Sequence, residues 1–294
     1  MKLLTFVTDS GLKLGVKMEK GVLNLEKAKE KFPNTSIPTT IEQVIEGEEA
    51  QLKELHRYIQ TIDSKENELF LPEEELTFGP IVPNPGKIIC IGLNYRKHAI
   101  ESGMPIPENP IIFNKFSNAI SGHGETVDIP SHAKQIDYEA ELVIVIGKKT
   151  KEVSKEEALD YVLGYTNGND LSIREHQFLT SQWVLGKTAD GFCPIGPYLV
   201  TPDEVGNPDD LEIKGLVNGE VKQSSTTADM IFNCSEIISF ASKYMTLEPG
   251  DIILTGTPEG VIMGNSPEEQ IWLKNGDEVT IEIEKLGKLT TIFN

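Results

Sequence analysis

Cysteine is scarce in this chain of 294 residues: Cys90, Cys193 and Cys234 stand far apart with no CxxC pair. An odd number at such spacing argues against a disulfide framework and fits a reducing, cytoplasmic setting. Basic residues are also few, 27 Lys and Arg against 46 Asp and Glu, for a net charge of −19 and a pI near 4.7. A nucleic-acid backbone or an anionic membrane surface is therefore a poor partner, and an anionic substrate has to be drawn by local cations. Long uncharged apolar runs are missing. Met1 to Gly21 holds two short apolar stretches broken by charges, neither a signal core nor a span, so neither export by that route nor membrane crossing is expected. Internal repeats, low-complexity tracts and a regular βαβ period are absent too, which removes a Rossmann sheet. What remains, 38% hydrophobic and 25% charged, is the profile of a globular protein.

The patterning divides the chain. Leu3 to Val7, Leu14 to Val16 and Gly21 to Leu25 alternate around a turn at Asp9-Ser10-Gly11 and predict a small hairpin region. A helix start at Thr39-Thr40 leads into Ile41, Val44 and Ile45, and a second helix is expected from about Glu48 to Gln60 on Leu52, Leu55 and Ile59. Residues 1–70 thus read as a small α+β domain. The polar run Asp63 to Asn67, the Leu71 to Glu75 stretch and Pro80, Pro83 and Pro85 mark a boundary, with 71–86 as the linker. From 87 to 294 short β-prone segments dominate: 87–91, 111–113, 141–146, 161–166, 198–200, 212–217, 251–255 and 278–283. Helices are predicted at 155–161, 172–180 and 234–243. The fold class is α+β, a β-rich mixed and mostly antiparallel domain behind a smaller leading one.

One β-prone stretch carries acids where a buried strand would not. In Asp137-Tyr138-Glu139-Ala140-Glu141, running into Leu142 to Ile146, alternation puts Asp137, Glu139 and Glu141 on one face. Like charges about 7 Å apart in an apolar setting persist when a cation lies between them. Oxygen-only ligands favour Mg²⁺, Mn²⁺ or Ca²⁺ over Zn²⁺, while a solvent-facing antiparallel edge is the other reading. Asp170 follows Asn167-Gly168-Asn169 at the mouth of the next predicted strand, and Ser172 with Glu175 reads as a capping box opening a helix. Glu139, Glu141 and Asp170 would then supply three carboxylates and leave room for water and substrate.

Arg174 and Gln177, three apart, share a helix face and could lean over a metal-bound anion, or form a surface pair. Lys187, behind an apolar run, is either snorkelling or aimed at a developing negative charge. His98 and Glu101 have helical spacing too, so the carboxylate could orient the imidazole as a general base; a plain surface pair is the alternative. The Thr255 to Val261 loop could offer backbone N–H groups and a hydroxyl to a carboxylate, or be a tight turn. His123 and His132 stay unassigned, and Ser102 to Asn109 is either a lid or an ordinary loop.

Lys87 to Tyr95 with His98, Phe113-Asn114-Lys115, Asp137 to Leu142, Asp170 with Arg174 and Gln177, Lys187, and Thr255 to Pro258 with Gly260 and Val261 recur in the order seen in the fumarylacetoacetate hydrolase family, which residues 87–294 resemble. The resemblance implies a layered β-rich fold, a homodimer and a Mg²⁺ or Mn²⁺ ion held by Glu139, Glu141 and Asp170. It implies His98 with Glu101 as acid/base dyad, Lys187 as stabiliser of an enolate, and Tyr95, Arg174, Gln177 and Thr257 as substrate contacts. This chain departs from the pattern at Glu175, where Asp is common, and at Phe116-Ser117, where prolines are common. The expected activity is metal-dependent hydrolysis of a carbon–carbon bond in an acylpyruvate or fumarylacetoacetate-like diketo acid. Oxaloacetate decarboxylation and hydroxymuconate-type isomerisation use the same enolate and are the alternatives, with a metal-stabilised ligand sensor as the non-enzymatic one.

Overall fold

The computed structural model describes residues 1–62 and 66–294. The leading strands β1 (Lys2–Thr8), β2 (Gly11–Met18) and β3 (Gly21–Asn24) form the expected antiparallel meander. The helix α1 (Leu25–Lys31) begins where the Asn24 side chain accepts from the Lys27 N–H. The two helices expected after Thr40 are one, α2 (Ile41–Thr61). Gly47 lowers local propensity without breaking it, because Ile41, Val44, Ile45, Leu52, Leu55 and Ile59 continue a single apolar stripe into one core. Part of the polar run 63–67 lies outside the described residues; β4 (Phe70–Leu71) then pairs with β3.

The stretch 71–86 lies along β1. The Val7 N–H donates to Thr77 O, the Gly79 N–H donates to Thr5 O, and Ile81 and Val82 are buried. Beyond it come β5 (Ile88–Gly92), α3 (Arg96–Glu101), β6 (Ile111–Lys115), β7 (Ile120–Ser121), β8 (Thr126–Val127), β9 (Ile136–Asp137), β10 (Ala140–Ile146) and β11 (Val162–Asn169). There follow β12 (Ser172–Ile173), α4 (Arg174–Gln177), α5 (Val184–Lys187), β13 (Cys193–Val200) and α6 (Pro202–Val205). The chain ends with β14 (Glu212–Val217), β15 (Glu220–Thr226), α7 (Cys234–Tyr244), β16 (Ile252–Leu254), β17 (Glu278–Ile283) and β18 (Gly287–Phe293).

An eleven-stranded sheet runs β4-β3-β2-β1-β13-β11-β10-β16-β5-β6, with β7 against β13. The β1–β13 pairing makes the leading region and the residues after 87 share that sheet. A five-stranded sheet, β15-β14-β17-β18-β8, covers one face of it. Both sheets are antiparallel except at β5–β16, β7–β13 and β8–β18. All of β10 is buried, and its residues alternate between two cores. Leu142, Ile144 and Ile146 meet the residues of β14, β17 and α7, while Val143 and Val145 meet those of α2 and the leading strands. A strand covered on both faces reads as the continuous apolar run seen here.

Three local expectations change. The helix expected at 155–161 is only a short 3-10 turn, Ala158–Tyr161. The one expected at 172–180 is only α4, because Ser172 lies in β12 and no capping box forms. Instead, the Ser172 hydroxyl donates to Asp170 O, and the Glu175 carboxylate accepts from the Lys134 and Gln135 N–H groups. Among the described residues no helix is long and apolar enough to cross a membrane.

Candidate active site

Two neighbouring strands deliver the acids. Glu139 lies in the break between β9 and β10, its N–H held by Asn169 Oδ1 and its carbonyl accepting from the Asp170 N–H. Glu141 is the second residue of β10, and Asp170 directly follows β11, paired antiparallel to β10. Oxygens of the three carboxylates lie within 4.8 Å of one another, and all three side chains are buried. Asp137 does not join them. The two-residue interruption separates it from β10, and its carboxylate accepts from Arg174 Nε at 2.8 Å and from the Ile262 and Met263 N–H groups.

Cations frame this acidic floor. Lys187 Nζ donates to Glu139 Oε2 and Asp170 Oδ2, both at 2.9 Å. Lys115, at the end of β6, reaches Asp170 Oδ1 at 2.5 Å and Leu171 O at 3.0 Å. Arg174 Nη2 stands 2.8 Å from Asp137 Oδ2 and 2.7 Å from Glu139 Oε1, while Nη1 donates to Gln177 Oε1. Burial pushes Glu139 upward, but Lys187 and Arg174 outweigh it and hold the carboxyl at about 2. Burial lowers the basicity of Lys187 and Arg174, and their carboxylate neighbours more than restore it. Glu141 differs: burial, then Asp170 and Glu139, raise it well above the usual carboxylate range, against the Gly256 N–H donated to its Oε2 at 2.7 Å.

The donor set fits a small hard divalent cation. Four buried carboxylates, Asp137, Glu139, Glu141 and Asp170, face three buried cations, Lys115, Arg174 and Lys187, so the negative surplus falls on Glu141. Oxygen donors this close suit Mg²⁺ or Mn²⁺, which take few carboxylates and keep water positions. Two glycines make the geometry possible. At Gly256, with φ +99°, a Cβ would meet Asn94 Cβ at 2.7 Å, so only glycine brings that N–H onto Glu141. At Gly186 a Cβ would lie 2.5 and 2.6 Å from Gln177 backbone atoms, so glycine lets α5 press on α4 and sets Lys187 in place.

Above the floor is a cavity of about 430 Å³, lined by His98, Glu101, Glu139, Glu141, Arg174, Gln177, Lys187 and Thr257 among others. His98 Nδ1 lies 3.3 Å from Glu101 Oε2, and the Gly260 N–H donates to Glu101 Oε1 at 3.1 Å. With Nδ1 bound to the carboxylate, Nε2 is the basic nitrogen. The Thr255–Val261 loop thus spends its N–H groups on the protein's own Glu141 and Glu101. The Thr257 hydroxyl accepts from Gln223 Nε2, which leaves its proton to donate. Leu93, with φ +51° in a region costly for a bulky side chain, also lines the cavity. A larger cavity of about 710 Å³, beside His56 and Arg57, is lined by none of these groups.

Of the ten residues given a catalytic, metal or substrate role in the sequence analysis, Tyr95 and Asp170 alone are not at the cavity wall. Asp170 sits beneath it beside Glu139 and Glu141. Tyr95 is wholly buried, bridges to Met230 and does not line the cavity. Ser102 and Met104 do line the cavity. Sequence reasoning missed the ion pairs of Lys115 and Asp137; the only local signal was a lysine just behind the apolar run Ile111 to Phe113, and for Asp137 there was none beyond its alternation with Glu139.

Comparison with known proteins agrees with this geometry. The family described as fumarylacetoacetate (FAA) hydrolase C-terminal matches residues 87–294. The chain is 43% identical to the Fumarylacetoacetate hydrolase domain-containing protein 2 homolog of Dictyostelium discoideum, over 98% of this chain and 96% of that protein. It is 44% identical to the mitochondrial Oxaloacetate tautomerase FAHD2A of Bos taurus, over 86% of this chain and 79% of that one. Among solved structures, the Fumarylacetoacetate hydrolase of psychrophilic Exiguobacterium antarcticum superimposes with a TM-score of 0.80 at 28% identity, covering 100% of this chain and 99% of the other.

Proposed function

Since the chain belongs to the fumarylacetoacetate hydrolase family, we propose that it is a divalent-metal-dependent keto–enol tautomerase of 2-oxo acids, with oxaloacetate as the first substrate. The observation that carries this reading is the placement of the hydrogen-bonded His98–Glu101 pair in the same small cavity as the three carboxylates and Lys187. Tautomerisation asks for those two things only: a base that moves one proton, and positive charge where the enolate oxygen develops.

Glu139, Glu141 and Asp170 would hold the cation, which when bound supplies Lewis-acid polarisation of a carbonyl oxygen. His98, oriented by Glu101, takes the proton from C3 and returns it to the C2 oxygen. Positioned acid/base groups of this kind contribute roughly 10²- to 10⁴-fold. Lys187, anchored on two acids, supplies preorganised positive charge at the floor. The Gln177 amide, whose oxygen is taken by Arg174, and the Thr257 hydroxyl are left to donate to substrate oxygens.

Carbon–carbon hydrolysis of an acylpyruvate, the first expectation from sequence, is the second reading, because the same His98–Glu101 pair could deprotonate a water. A homodimer is part of either reading and is checked by sedimentation velocity. The deciding experiment adds Mg²⁺ or Mn²⁺ to chelator-stripped protein. It follows the decay of the oxaloacetate enol and, separately, the products formed from an acylpyruvate. Metal-dependent enol decay without cleavage products supports the tautomerase; cleavage without accelerated tautomerisation hands the site to the hydrolase. Stoichiometric metal with neither activity removes both and leaves a ligand sensor.

A further inference from the structure

We infer that the cavity also takes arylpyruvates, 2-oxo acids bearing an aromatic ring on C3, and enolises them at least as efficiently as oxaloacetate. This rests on the keto–enol reading and adds a substrate class to it. The cavity is polarised. Its floor is charged, whereas the rest of its lining includes Leu93, Met104, Phe113, Phe178, Trp183 and Met263, with the Phe113 ring 5.1 Å from Lys187 Nζ where the two parts meet. Phe113 and Trp183 stand edge-to-face at 5.4 Å, and the indole rests on Gly92, where a Cβ would come within 2.5 Å of it. That contact holds the indole in place as one side of an aromatic slot.

The cations of the wall are already engaged. Arg174 is bound by Asp137, Glu139 and Gln177, and Lys187 by Glu139 and Asp170. No other Lys or Arg is among the described residues that line the cavity. A second carboxylate entering the outer half would lose hydration against apolar side chains with only neutral donors such as Asn265 nearby. An aromatic ring in that place instead removes its own apolar surface and that of the half-exposed Phe178 and Met104 from water. A volume near 430 Å³ also exceeds what a four-carbon diacid fills.

The step balances without a co-reactant. His98 removes a C3 proton, the C3–H electron pair becomes the C2–C3 double bond, and the carbonyl π pair moves to oxygen, which receives the proton back. Conjugation of the ring with that double bond makes the C3 proton easier to remove.

The test measures kcat/KM for phenylpyruvate and oxaloacetate tautomerisation on the metal-loaded protein, together with quenching of Trp fluorescence by phenylpyruvate. The expected ratio, phenylpyruvate over oxaloacetate, is at or above about one, and Trp183→Ala lowers it about tenfold, as loss of a hydrophobic subsite does. Phe178→Ala, at a side chain 58% exposed and so safe for folding, lowers it in the same direction. Oxaloacetate turnover without phenylpyruvate turnover overturns the inference and leaves the tautomerase standing. A ratio unmoved by both substitutions overturns it too, because the wall would then not be the recognition surface. Turnover of neither substrate defeats the keto–enol reading itself.

Discussion

The floor and the rim of one cavity are built on opposite principles. On the floor, Glu139, Glu141, Asp170, Lys115, Arg174 and Lys187 are all buried and ionisable. At the rim, Met104 and Phe178 are apolar and at least half exposed. Buried charge is tolerated below because nearly every group there has an opposite partner fixed by a strand or helix end. Above, Met104 and Phe178 line the same cavity and leave apolar surface in water, the kind of patch that marks a binding site. On the keto–enol reading, floor geometry would set the reaction and rim composition what is admitted.

The sharpest way to break this contrast is at the one floor carboxylate without a cation of its own. Glu141→Gln keeps the acceptor for the Gly256 N–H and removes the surplus charge, so the metal-free protein should melt at the same temperature or higher. Mn²⁺ affinity, read by calorimetry, should fall more than about 100-fold, in line with loss of a carboxylate ligand. Equal loss of stability and affinity would mean that Glu141 is a structural anion. Asp170→Ala should behave differently. It leaves Lys115 buried without a carboxylate partner and Lys187 with Glu139 alone, and should cost about 3 to 5 kcal/mol, seen as a fall in denaturation midpoint.

At the cavity wall above that floor, His98→Ala should lower kcat by about 10² to 10⁴ while Mn²⁺ affinity stays within a few-fold. Parallel loss of both would place His98 on the floor. The joint between the two regions is probed by Gly186→Ala, whose new Cβ presses on the Gln177 backbone. Overpacking there should cost about 1 to 3 kcal/mol in thermal unfolding and lower activity by displacing Lys187.

The smallest effect is graded in pH. Because Glu141 is raised, the metal-free protein keeps its proton above the usual carboxylate range and metal binding expels it. Apparent Mn²⁺ affinity should weaken on acidification by up to about tenfold per pH unit below that pKa. Calorimetry in buffers of different ionisation enthalpy should register proton release. The sign for folding is the reverse of the ordinary carboxylate case: the raised pKa contributes stability at low pH that is lost as Glu141 ionises. A binding constant flat in pH would remove Glu141 from the ligand set.

Local pattern carried much of the site. The acids at 139 and 141 interrupt an apolar strand, and 98 with 101 and 174 with 177 obey helical spacing, all readable over a few residues. The same local rules misjudged Asp137, because a two-residue break in the strand cancels the alternation that put it with Glu139. They also suggested a capping box at Ser172, where β9 captured the segment as a strand and Glu175 served two backbone N–H groups across the gap. Tyr95, a substrate contact by the family resemblance, is drawn by packing into the core instead.

Sequence alone determined the β-rich class and pointed to Glu139, Glu141 and the His98–Glu101 pair, since alternation and helical spacing act within one element; Asp170, on the neighbouring strand's end, joined them in the sequence reading through its place at a strand mouth and the family resemblance. Tertiary structure decided which cation answers which acid: Lys115 meets Asp170 across 55 residues, Arg174 meets Asp137 across 37, and the Gly256 N–H meets Glu141 across 115. Those distances are closed by strand pairing and core burial, and no short-range periodicity encodes them.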